Sequence, residues 1–124
     1  MTNAGDGRTA YVTREDCAAV AAAVLVQDGH DDRAYEATGP AAIEADDLAA
    51  LAGELGGTPV QVVHVDDDAY VQGLVGAGLP EEMARVVASF GAAAREGHLD
   101  TVSTTVADLT GRPPTPLREV LGLP

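Results

Sequence analysis

Apolar and polar positions change rhythm several times along the chain, and each change marks an element. Arg8 to Val12 reads as a short strand running into the polar tetrad Thr13-Arg14-Glu15-Asp16. That tetrad is a helix start, with Thr13 as N-cap, Asp16 three positions on as an approximate capping box, and two acids in the first turn. The helix that follows, Cys17 to Val26, has no polar side chain, and a helix apolar all round must be covered all round. Asp28 to Asp32 ends it as a polar turn, and Ala34 to Thr38 reads as a second strand stopped by Gly39-Pro40. A helix from Ala45 to Leu55 sets Leu48, Leu51, Ala52 and Leu55 on one face and closes on Gly56-Gly57. Val60 to Val65 alternates in the manner of a strand.

Asp66-Asp67-Asp68 caps a helix carrying Tyr70, Val71, Leu74 and Val75, broken at Gly76-Ala77-Gly78. Pro80-Glu81-Glu82 opens a longer helix to about Glu96, whose expected apolar face is Met83, Val86, Val87, Phe90 and Ala94. A helix or turn over 101–109 and a short helix over 116–121 complete the chain. Helices outnumber strands by about two to one, so the expected fold is α+β, mostly helical with three short strands, in one domain over residues 1–124.

The 124 residues, 12.6 kDa and 46% hydrophobic content suit one domain or a piece of one. With only 3% aromatic residues, Ala and Val must fill the core, which implies close helix packing. Twenty acidic against seven basic residues give a formal charge of -13, which repels phosphate backbones and anionic bilayers and argues against nucleic acid as a partner. No apolar run approaches a membrane span, and Met1 to Asp6 lacks the features of a secretion signal, so the expectation is no membrane and a cytoplasmic location. The single cysteine, Cys17, cannot close an internal disulfide and is expected to be a small core residue. All seven basic residues are arginine, which removes Schiff-base chemistry, a P-loop lysine and the Tyr-x-x-x-Lys pair of ordinary short-chain dehydrogenases.

The remaining motifs are weak. Gly5-Asp6-Gly7-Arg8-Thr9-Ala10 has the letters of a dinucleotide fingerprint, but a strand follows where a helix is needed, so it reads as a turn. The acid clusters at Asp31-Asp32, Asp46-Asp47 and Asp66 to Asp68 read as caps at helix boundaries, and metal is not expected. His30 and His98 read as turn residues, whereas His64, between a strand and a cap, is a candidate for a pocket. Neither Ser89 nor Ser103 lies in a nucleophile turn. Arg14 sits in the first turn of a helix against its dipole and is a candidate for a specific partner.

Four segments in order carry a likeness: Tyr11 to Asp16 before an alanine-rich helix, Tyr35 to Pro40, Val60 to Val65 with its Asp-rich cap and Tyr70, and Thr110-Gly111-Arg112-Pro113-Pro114 before a terminal helix. Together they resemble the C-terminal part of the NmrA-like atypical short-chain dehydrogenases, the NAD(P)H:quinone oxidoreductase-like branch, over nearly the whole chain. The resemblance implies the substrate lobe of such an oxidoreductase without the Rossmann region and Gly-rich loop that hold the cofactor. No cofactor is then expected on this chain alone, and NAD(P)H only with a Rossmann partner. By the same resemblance Tyr11 and Arg14 lie near the cofactor–substrate cleft, and Tyr70, Met83 and Phe90 line the lobe. No catalytic residue is assigned. Two other readings stand beside it: a stand-alone small-molecule binding protein or cofactor-free isomerase or cyclase, and a non-catalytic regulatory interaction module. Burial arithmetic adds a homodimer or a Rossmann-type partner chain through helix 17–26, because the other elements cover only about half of its apolar circumference.

Overall fold

The computed structural model describes residues 1–124 and contains six helices: α1 (Arg14–Val26), α2 (Ala45–Gly56), α3 (Asp67–Gly76), α4 (Glu81–Arg95), α5 (Thr105–Thr110) and α6 (Leu117–Val120). They begin and end where local chemistry places them. The Thr13 hydroxyl accepts the Asp16 N–H at 2.9 Å to cap α1, and Asp66 accepts the Ala69 N–H at 2.8 Å to cap α3. Asp47 accepts the Glu44 N–H at 3.0 Å as half of a capping box on α2, which ends on Gly57 at φ 66°. Asp31 and Asp32 cap no helix; they form the turn after α1, with Asp32 at φ 57°.

The three expected strands do not form. The segments 8–12 and 60–65 pair only at single points, Thr9 with Ile43 antiparallel and His64 with Thr2 in parallel, and 34–38 makes no bridge. Period-two alternation reports a pleated backbone with two different faces; it does not supply the neighbouring strand that a ladder requires.

The chain divides into two compact units, Met1–Thr9 with Ile43–Asp100, and Ala10–Ala42 with Thr101–Pro124. In the first, α3 and α4 pack through Val71, Ala84 and Ala88, with Tyr70, Leu74 and Leu79 around them. The expected face of α4 holds at Ala94, which is buried, and is corrected at Met83, Val86 and Phe90. Ala84 and Ala88, one turn apart, point inward because helices this close leave room only for methyl groups, while Met83, Val86 and Phe90 are 54%, 53% and 62% exposed. The N-terminal residues are fixed to this unit. Thr2 donates to the Val63 carbonyl and accepts from the Val65 N–H, each at 2.9 Å. Buried Asn3 donates to Asp67 Oδ1 at 2.7 Å and to the Ala88 carbonyl at 2.8 Å. Gly91 makes room for it, since a Cβ there would stand 2.0 Å from Asn3 Oδ1.

In the second unit α1 packs on α5 through Val20, Ala23 and the fully buried Val106. The opposite side of α1 is open: Leu25 and Val26 are 84% and 82% exposed, and Cys17 is exposed rather than a core residue. A helix with no polar side chain carries no signal for which side turns inward, so contacts with α5 alone choose Val20 and Ala23. The extended stretch around Glu36 to Gly39 is held by Thr38, whose hydroxyl accepts the Ser103 N–H at 2.8 Å, and by Gly39 N–H on the Ala10 carbonyl at 3.3 Å. No helix is long and apolar enough to cross a membrane.

Candidate functional site

Asp16 is the pivot of the second unit. Its side chain is fully buried; Oδ2 accepts the Thr115 N–H at 2.8 Å, and Arg112 Nη1 lies 2.7 Å from Oδ1. Burial alone pushes this carboxyl up, but the Thr115 N–H, Thr13 and Arg112 outweigh it and hold it below its ordinary value. Asp16 thus stays charged at neutral pH and ties the loop Thr110 to Thr115 to the start of α1. A sequence reading makes Asp16 only the acid of a capping box. It keeps half of that box, receiving Thr13's cap on its N–H, and spends its carboxylate on a segment about a hundred positions away, a distance no local pattern reports.

On this frame sits a cleft of about 540 Å³, formed by Tyr11 to Glu15 on one side and Thr115, Leu117 and Val120 on the other. The structure brings Tyr11 and Arg14 together here. Tyr11 is 44% exposed and the backbone beneath it is fixed, because a Cβ on Gly39 would stand 1.8 Å from the Tyr11 carbonyl oxygen. Four of the seven arginines pair with carboxylate side chains: Arg8 with Glu44, Arg85 with Glu81, Arg95 with Asp67 and Arg112 with Asp16. Arg14, exposed at the cleft, and Arg33 pair with no carboxylate side chain.

The other candidates belong to the first unit and do not share one cavity. His64 lines a shallower depression of about 420 Å³ with Asn3, Asp66, Asp67 and Arg95, and its Nε2 lies 3.3 Å from Asp46 Oδ2. Arg95 bonds to Asp67 Oδ2 at 3.1 Å and to the Asn3 carbonyl, and this contact, with Asn3, lowers the Asp67 carboxyl. Tyr70 is half-buried against the α3–α4 core. Met83 and Phe90 lie with Val86 on the exposed stripe of α4. Asn3 and Thr115 are structural polar residues that sequence reasoning does not single out. Asp16 entered it only as a capping-box acid, and Arg112 only as part of the Thr110-Gly111-Arg112-Pro113-Pro114 segment.

No family model matches the chain. Individual relatives do. An NAD(P)H azoreductase of Xenophilus azovorans is 35% identical over 88% of this chain and 38% of its own length. Quinone oxidoreductase 2 of Escherichia coli is 35% identical over 94% of this chain and 41% of its own. The crystal structure of that NADPH-dependent enzyme superposes on 98% of this chain and 44% of itself with a TM-score of 0.92 at 34% identity. An NmrA-like family domain-containing oxidoreductase of Aspergillus flavus is 26% identical over 98% of this chain and 40% of its own length. The chain therefore spans about 40% of the length of the curated relatives it matches. In sequence and backbone alike, the chain matches the C-terminal part of these NAD(P)H quinone and azo reductases and NmrA-like oxidoreductases.

Proposed function

We propose that residues 1–124 act as the substrate lobe of an NAD(P)H-dependent, quinone reductase-like oxidoreductase, with the nucleotide held by a Rossmann-type partner and not by this chain alone. The observation that carries the reading is the superposition of nearly the entire chain, at a TM-score of 0.92, on the corresponding part of an NADPH-dependent quinone oxidoreductase. Two features support it. The extended segments 8–12, 34–38 and 60–65 lack ladder partners, and Val60 and Val63 remain 51% and 57% exposed, as expected of strands that complete a sheet built elsewhere. The open side of α1, with Cys17, Leu25 and Val26, offers an apolar face to such a partner or to a second copy of the chain. Tyr11, Arg14, His64, Met83 and Phe90 all keep exposed side chains, as contact with substrate requires, while Tyr70 backs the lobe from its core.

Titrating NADPH fluorescence against the purified chain tests the reading. No saturable binding at micromolar concentration is expected, and a chimera carrying the N-terminal part of the E. coli quinone oxidoreductase ahead of residues 1–124 should reduce quinones with NADPH. Micromolar NADPH binding by the chain alone, or a folded but inactive chimera, overturns it. Light scattering tests the α1 face: Leu25→Asp should abolish self-association or docking of the N-terminal part without lowering helix content.

A further inference from the structure

We propose that the cleft between residues 11–15 and 115–120 binds a small planar aromatic anion, with Arg14 as the group that receives the negative charge. This rests on the reading of Tyr11 and Arg14 as substrate contacts and gives that site a ligand chemistry, while binding itself requires no nucleotide and no hydride transfer.

Three observations carry it. First, the cleft of about 540 Å³ falls within the range of small-molecule sites, and Val12, Leu117 and Val120 give it apolar walls for the body of a ligand. Tyr11 adds a half-exposed ring on which a planar body can stack. Second, the cation at the mouth is uncompensated. Arg14 is the first residue of α1, where the helix dipole works against a positive charge, and no carboxylate pairs with it. Glu15, which also lines the cleft, stands in the first turn where the same dipole stabilises an acid. Neither charge has an ion-pair partner in the chain, but the dipole favours the carboxylate and opposes the guanidinium, which therefore gains more from an incoming anion. Its planar fork suits a carboxylate or sulfonate and can also lie over an aromatic face. Third, the surroundings tolerate an anion in a chain whose formal charge is -13. The charged groups at and behind the cleft include Arg14, Glu15, Asp16 and Arg112, two of each sign, and Asp16 ties Arg112 and Thr115 to the start of α1. A neutral apolar body alone would leave Arg14 unused; a cation would meet it head on.

The test is an amide NMR titration of the 124-residue chain with naphthalene-2-sulfonate and with naphthalene-2-sulfonamide, its neutral counterpart of nearly equal shape. Saturable shifts are expected at Tyr11, Arg14 and Thr115 with both, the sulfonate binding about tenfold more tightly, the gain of one charge-assisted pair. Arg14→Gln should abolish that gap while leaving the sulfonamide affinity unchanged, and Arg14→Lys should keep part of it. Val120→Trp, which fills the cleft, should weaken both ligands with the spectrum otherwise intact. Shifts absent or scattered over the surface, equal affinities for the two ligands, or a gap that survives Arg14→Gln overturn the proposal. None of these measurements involves NADPH, so failure here and failure of the reductase reading are read from different experiments.

Discussion

Each unit of the chain is fastened by an aspartate–arginine contact between residues distant in sequence, and the two contacts differ in their exposure to water. Asp16 is fully buried beneath a half-exposed Arg112, whereas Asp67 and Arg95 are 50% and 41% exposed. The Coulomb attraction is similar in kind, but the surroundings decide what its loss costs. Removing one partner of a buried pair strands desolvated groups, while removing one partner of an exposed pair lets water take its place. The first contact fixes a loop to a helix start; the second, with Asn3, fixes the N-terminal residues to α3 and α4 and remains open to salt.

The largest effect should come from Asp16→Ala, which leaves the Thr115 N–H and Arg112 without their acceptor. A loss of about 3 kcal/mol is expected, seen as a lowered urea midpoint. A smaller loss than that of the Asp67→Ala variant would show that burial does not set the cost of breaking the contact. Next is Gly39→Ala, whose Cβ would meet the Tyr11 carbonyl oxygen at 1.8 Å. Because the obstacle is backbone, the cost should be about 2 kcal/mol, with amide shifts concentrated at residues 10–12 and 37–40.

Acid unfolding sharpens the comparison further. Both carboxyls are held below their ordinary value in the folded chain, so their stabilisation is present above the unfolded value of about 4 and is lost as pH falls through the folded one. Asp16→Asn should flatten the acid limb of the stability curve more than Asp67→Asn does. The smallest effect is that of salt. Raising sodium chloride to about 1 M should erase the difference between wild type and Asp67→Asn while leaving most of the difference for Asp16→Asn, because the Debye length there is about 3 Å and only exposed pairs are reached by the screening ions.

What the sequence by itself determined is local. Thr13, Asp66 and Gly57 stop and start helices through bonds to groups within four residues, so the six helical segments were legible from caps, glycines and the spacing of apolar positions. The family likeness was legible as well, in four short segments taken in order along the chain. Pairing was not. Alternation over 60–65 describes a backbone that is extended, yet whether it joins a ladder depends on a neighbour, and Thr2 meets it at one point only. The inward face of α4 was read rightly at Ala94 and misread elsewhere for a related reason: apolar spacing favours Met83, Val86 and Phe90, but Ala84 and Ala88 are the residues that pack with Val71 of α3. The cleft is the furthest from the sequence. Tyr11 and Arg14 could be named from their positions, but the pairing of Asp16 with Arg112 and Thr115 brings together segments about a hundred residues apart, and only tertiary structure sets that distance.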